Sequence, residues 1–201
     1  MSAALEKALV ENEIKSLLVR ERYYRDTNQW EKLRSCYHPD ASKTHIDITW
    51  YQGDVDGFVS GSRAMSTGGT GALHSISPVE VSLHGDKALT ESTGSVAIRF
   101  KHSGNDYDSV SVTRFISRLQ RVGSEWKLLS LEAIYERDSI LPVVPGVSGE
   151  ISLPAGGRES YKCISWVLGQ RGFKIKQDLP GADDPASVAQ LMEQSTNWLY
   201  N

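Results

Sequence analysis

Along residues 5–25, apolar side chains return every three or four positions at Ile14, Leu17, Leu18 and Tyr24, with Glu21 in the same stripe. That spacing predicts one amphipathic helix. Asn28 and Glu31 then stand at capping-box spacing and open a second helix with Trp30, Leu33 and Tyr37 on one side, which His38-Pro39-Asp40 ends. From residue 44 to residue 51 the period changes to two, placing Ile46, Ile48 and Trp50 on one face of a strand and His45, Asp47, Thr49 and Tyr51 on the other. A short helix around Phe58, over residues 54–65, is bounded by Gly53 and by the Gly68-Gly69-Thr70-Gly71 loop.

Four strands follow in the pattern, at residues 79–84, 88–101, 108–121 and 126–135. Gly85-Asp86, Ser103-Gly104-Asn105-Asp106 and Gly123-Ser124 separate them. Hairpin spacing of this kind implies one antiparallel sheet. The alternation is not clean. Leu89 has the opposite parity to Val96, Ile98 and Phe100, which points to a bulge at Gly94, and Val110, Val112 and Ile116 share one face while Phe115 and Leu119 share the other. A sheet apolar on both faces needs cover on both. Helices are expected on its concave side and the tail or a partner subunit on its convex side, so a homo-oligomer, dimer or trimer, is expected. Pro142, Pro145 and Pro154 make residues 139–158 a connection, docked through Val143, Val144, Val147, Ile151 and Leu153. Two short helices close the chain. One carries Tyr161, Ile164 and Leu168 before Gly172, and the other starts at Asp184-Pro185 and carries Val188, Leu191, Met192, Ser195 and Leu199. The organisation expected is a body over residues 1–138 and an extended linker with a helical extension, residues 139–201, packed on that same body.

Composition excludes more than it identifies. With 201 residues, 39% hydrophobic and 23% charged, the chain is an ordinary globular one. Cys36 and Cys163 are far apart, which fits neither a zinc site nor a disulfide framework and suggests a reducing, cytoplasmic setting. The charged start over residues 1–13 does not read as a secretory signal, and no apolar run reaches membrane-spanning length. A net charge of -3 without a long basic run speaks against nucleic acid as the partner. The cluster Arg20, Arg22 and Arg25, interrupted by Glu21, reads as one solvated helix face.

Two residues carry the candidate chemistry. His74 offers an imidazole whose ordinary pKa suits a general base, and Asp26, at the end of the first helix, offers a carboxylate to orient it. The structural alternative is that Asp26 opens the turn before Asn28 and His74 is a satisfied histidine at a strand start. Tyr23, three residues before Asp26, could donate a hydrogen bond to a substrate carbonyl. Arg114 shares a face with Val110, Val112 and Ile116 and needs an anion, either a developing enolate or leaving group or an ion pair with Glu132 or Glu91. His45, Thr49 and Tyr51 share the strand face expected to line a pocket. His38, Asp40, His45 and Asp47 match no metal-ligand spacing, the glycine loop lacks the Lys-Ser/Thr of a phosphate loop, and Ser75 beside His74 is not thereby a nucleophile. No metal and no cofactor is expected.

Helix, second helix, strand, short helix and bent meander together resemble the nuclear transport factor 2-like fold. The segments "DTNQWEKL", with Asp26, Trp30 and Leu33, and "LHSISPVEV", around His74, are similar to its SnoaL-like branch. The resemblance implies an α+β fold, a cone-shaped curved antiparallel sheet with N-terminal helices enclosing a pocket, over roughly the first two thirds of the chain. It also implies that Asp26 and His74 match the dyad shared by scytalone dehydratase and hexachlorocyclohexane dehydrochlorinase. Glu21 stands where many members carry tyrosine, and a Glu21 to Arg114 pair across the interior would fill the pocket. The expected activity is a cofactor-independent lyase or isomerase acting on a small hydrophobic polyketide, terpenoid or aromatic molecule. The alternative is a non-catalytic module for ligand capture or subunit assembly.

Overall fold

The first helix, α1 (Ala3–Asp26), is capped by Ser2, whose hydroxyl accepts the Leu5 N–H, and it buries Ile14, Leu17, Leu18, Glu21 and Arg22 along one stripe. The computed structural model describes residues 2–67, 71–146 and 151–201. Asn28 ends the helical path by taking a left-handed conformation at φ 60°, which asparagine tolerates better than most residues. Its side-chain oxygen accepts from the Ser66 hydroxyl, so the expected capping box does not form and α2 (Trp30–Ser35) starts without a side-chain cap.

The strand expected over residues 44–51 is two strands. β1 (His45–Ile48) folds back on β2 (Tyr51–Gly53), pairing Ile48 with Tyr51. Next comes α3 (Val55–Thr67), where a Cβ on Gly61 would lie 2.8 Å from the Trp50 ring. Only glycine lets that indole lie against the helix. The expected Gly68-Gly69-Thr70 portion of the loop lies outside the described residues.

The sheet continues through β3 (Ala72–His84), β4 (Lys87–His102), β5 (Asn105–Val122), β6 (Glu125–Leu128) and β7 (Ser130–Pro142). Strand order is β2-β1-β7-β5-β4-β3, with β6 pairing β5 off that path. The sheet is curved and unclosed, as expected, and all its pairs are antiparallel except β1 with β7. β3 begins seven residues earlier than its pattern suggests, because His74 and Ile76 pair with Val96 and Gly94 as part of the ladder.

Gly94 is not a bulge. The β4 to β5 register runs unbroken from Lys87 to His102, and a Cβ at Gly94 would fall 2.3 Å from the Ser75 carbonyl oxygen, so this position serves close strand approach. The register shifts lie elsewhere, at Val79 in β3 and at Glu136 in β7. Leu89 has its odd parity because it faces the other side of the sheet, where it packs with Ile116, Ile134, Leu191 and Leu199.

Both covers of the sheet include the tail. α4 (Lys162–Gly169) packs Ile164 and Leu168 into the main core on the concave side. α5 (Pro185–Tyr200), capped by Asp184 with proline at its start, lays Leu191 and Leu199 on the convex side. Between them the chain is pinned to β7: Tyr135 N–H donates to the Pro180 carbonyl (2.9 Å), and Ala182 N–H donates to the Tyr135 carbonyl (2.8 Å). β7 itself runs through the expected boundary at residue 138 without a break.

Candidate active site

α1 delivers Asp26 to the edge strand β3, and the carboxylate binds one residue there twice. Asp26 Oδ2 accepts the backbone N–H of His74 (2.7 Å) and Oδ1 lies 2.6 Å from its Nδ1. On the other side of the ring, Arg25 Nη1 lies 2.7 Å from Nε2. A guanidinium can only donate, so Nε2 accepts and the ring proton sits on Nδ1, directed at Asp26. The His74 side chain is 3% exposed and that of Asp26 11%.

Burial, joined by the facing positive charge of Arg25, lowers the His74 pKa from 6.5 to about 4 even though the Asp26 bond pulls upward. The ring is therefore neutral at physiological pH. Arg25 is itself pushed down to about 10, chiefly by burial and then by the charge of Arg22. Its guanidinium also donates through Nε to Ser62 Oγ (3.3 Å) and lies over Trp50 and Phe58, with 5.6 Å and 5.2 Å to the ring centroids. Among the described residues it has no carboxylate within ion-pair distance.

His74 and Arg25 line a mostly apolar cavity with Trp50, Thr113, Phe115 and Tyr135. Ile164 and Leu168 of α4 close it. About 40 Å³ is open to the centres of water-sized molecules, room for roughly three. Two polar groups on its wall differ in their commitments. Tyr135 Oη accepts the Thr49 N–H (2.9 Å), whereas the buried Thr113 hydroxyl has no hydrogen-bond partner among the described residues.

A second concavity, of about 90 Å³, lies outside this cavity and is walled by Asp26, Asn28, Trp30 and Ser66. Arg25, Met65 and Ala72 belong to the walls of both spaces.

Several residues expected at the site lie elsewhere. Tyr23 is 57% exposed, because the helical turn that brings Asp26 inward carries position 23 outward. Arg114 points to the convex side, where its Nε donates to Glu136 Oε1 (2.6 Å) and Glu91 lies 4.0 Å away. Glu132, the other partner considered for it, pairs with Arg118 instead (3.5 Å). Glu21 is buried but does not meet Arg114. It lies 3.1 Å from Arg22 Nε and accepts the Tyr37 hydroxyl proton (2.9 Å).

His45 is exposed at the start of β1, and Tyr51 donates its hydroxyl to the Asp54 carbonyl (2.8 Å). It is Ile48 and Trp50, on the opposite face, that reach the cavity, with Thr49 at the turn between β1 and β2. Asp47 is tied to Lys176 (2.9 Å), and among the described residues no three metal-ligating side chains gather.

The residues that periodicity missed are Arg22 and Arg25. Only Arg20 of that cluster is exposed. The stripe of Ile14, Leu18 and Arg22 continues at helical spacing of three and four to Arg25 and Asp26, so the signal was present but masked by residue type.

A family model described as a SnoaL-like domain matches residues 6–132. Pea pathogenicity protein 2 of Fusarium vanettenii is 27% identical over 169 residues, covering 79% of this chain and 69% of that protein. Two solved structures share the fold. A scytalone dehydratase candidate from Novosphingobium aromaticivorans is 16% identical, with a TM-score of 0.54 over 77% of this chain and 99% of that one. A hexachlorocyclohexane dehydrochlorinase is 13% identical, with a TM-score of 0.53 over the same shares. With a model of that kind spanning more than half of its length, the chain belongs to the SnoaL-like family within the nuclear transport factor 2-like superfamily.

Proposed function

We propose that this protein is a cofactor-independent lyase or isomerase that removes a proton from a small, largely apolar molecule. His74 Nε2 takes the proton, and Asp26 holds the ring in the one tautomer that leaves Nε2 on the cavity side and stabilises the imidazolium as it forms. The electron pair released from carbon then either expels a leaving group or shifts within the substrate before the proton is returned. Arg25 is placed to stabilise negative charge gathering on a substrate oxygen, and the Thr113 hydroxyl offers a further donor. One observation carries the reading: both oxygens of Asp26 are spent on His74, one on its ring and one on its backbone. A carboxylate that served only to cap a helix or turn would not need the ring.

The related folds named above, a dehydratase and a dehydrochlorinase, are in keeping with elimination. An apolar wall of Trp50, Phe115 and Leu168 favours aromatic, terpenoid or polyketide-like bodies. The reading includes a cytoplasmic homo-oligomer, supported by Leu73 and Val79, which stand exposed on the edge strand β3. The test is turnover: a substrate found by screening such compounds should be consumed by the wild type and not by His74→Ala. Undiminished turnover in that variant would falsify the proposal.

A second reading, capture of a ligand without reaction, is favoured by the small volume of the cavity and by the occupation of Nε2 by Arg25. Ligands that raise the melting temperature and are recovered unchanged after long incubation support it.

A further inference from the structure

We propose that Arg25 is both a gate and an anion-recognising residue: a substrate carrying a carboxylate or enolate oxygen draws its guanidinium off His74 Nε2, which uncovers the base and joins the outer concavity to the inner cavity. The proposal deepens the reading given above by naming the substrate class, and it rests on that reading for its purpose. Its test does not require turnover.

Three observations lead there. The first is the partner set of Arg25. Two aromatic faces, one hydroxyl and one imidazole nitrogen meet this half-buried cation, and the charges of Glu21 and Asp26 reach it without a direct ion pair. A guanidinium gains most from a charged oxygen, which forms hydrogen bonds about twice as strong as those to neutral acceptors. An anionic oxygen therefore competes well for it, whereas an alcohol or amide offers nothing better than the contacts already made.

The second observation is position. The side chain stands in the wall shared by the outer 90 Å³ concavity and the inner 40 Å³ cavity, beside Met65 and Ala72. Both spaces are small, and moving this side chain out of the shared wall is the step by which the proposal joins them.

The third is the state of the base. With Nε2 accepting from Arg25, it has no free lone pair for a carbon acid. The same positive charge is among the causes that hold the ring at about 4. Moving the guanidinium onto a substrate anion removes the hydrogen bond and neutralises the charge together, so the imidazole becomes accessible and more basic only when the correct ligand is present.

Binding of benzoate and cyclohexanecarboxylate is measured by calorimetry against benzamide and cyclohexylmethanol, with the imidazole nitrogens of His74 followed by NMR. Wild type is expected to bind the carboxylates at least tenfold tighter than their neutral counterparts and to show a displaced Nε2 resonance on binding. Arg25→Gln should lose that preference, and Arg25→Lys, which keeps the charge but not the fork, should retain part of it. His74→Ala should keep the preference, which separates failure of this inference from failure of the catalytic one. Equal affinity for acid and amide in the wild type, an Arg25→Gln protein that still prefers the acids, or no saturable carboxylate binding at millimolar concentration would each overturn it. Should Arg25→Gln not fold by circular dichroism, the Arg25→Lys and wild-type comparisons decide alone.

Discussion

Arg25 and Arg114 are the same residue type on opposite sides of one sheet, and their surroundings differ in every respect that matters. Arg114 on the convex side is about one third exposed and meets Glu136 and Glu91, both comparably accessible. Such pairs are common between neighbouring strands and contribute little, because water would serve each partner nearly as well. Arg25 on the concave side touches imidazole, hydroxyl and ring faces but no carboxylate, in a place where burial already shifts its pKa. Stability alone gives no reason to keep a cation there. The contrast supports the proposal that the concave side carries the chemistry, because there a cation is held without a carboxylate at ion-pair distance among the described residues.

The largest effect expected from breaking this contrast is on turnover. Asp26→Asn should lower kcat/KM for any substrate by about 10³-fold, because the amide no longer enforces the tautomer that exposes Nε2, and His74→Ala should do at least as much. Steady-state kinetics on both variants checks this, and a loss below tenfold in both would remove the dyad from the mechanism.

Next in size is packing, where the two sides should behave alike in one measurement and differ in another. Leu168→Ala under the cavity and Leu191→Ala under α5 should each destabilise the protein by about 2–5 kcal/mol in urea titration. Only the first should also alter ligand affinity, since only Leu168 lines the cavity.

Acid should act through the concave side. The unfolded chain binds a proton on His74 below its ordinary 6.5, while the folded chain resists until about 4, so the unfolded state carries more protons in that window and stability falls as pH drops through it. The full difference amounts to about 3 kcal/mol. Wild type should therefore lose more stability than His74→Gln between pH 6.5 and pH 4, measured as the difference between their urea midpoints at each pH. Parallel curves would mean that the ring titrates alike in both states.

The smallest effect belongs to the convex side: Arg114→Gln should change stability by less than about 1 kcal/mol and leave turnover as it was. A larger loss of activity would return Arg114 to the site.

The elements were legible in the chain wherever one residue type reports one environment. The stripe of Ile14, Leu17 and Leu18 and the proline start of α5 lie where their patterns put them. Parity was harder. The parity of Leu89 suggests a bulge at Gly94, whereas it marks a second apolar layer on the reverse of an unbroken ladder. Similarly, β1 and β2 read as one strand because the two residues of their turn, buried Thr49 and half-buried Trp50, keep the alternation going. At the site, Asp26 and His74 were suggested by resemblance and not by spacing, since nothing along the chain brings positions 48 apart together. Arg25 was hidden by its charge. Periodicity analysis assigns arginine to the solvent side by default, so a buried cation on the apolar stripe looks like an ordinary polar face.

The residues matched by the family model stop at 132, yet α4, which begins thirty positions later, supplies the floor of the chamber through Ile164 and Leu168. Two cousins could thus inherit the same acid and imidazole and still admit differently shaped guests. On the proposed reading, substitutions at Ile164 and Leu168 would reshape the room offered to a guest while leaving Asp26 and His74 untouched.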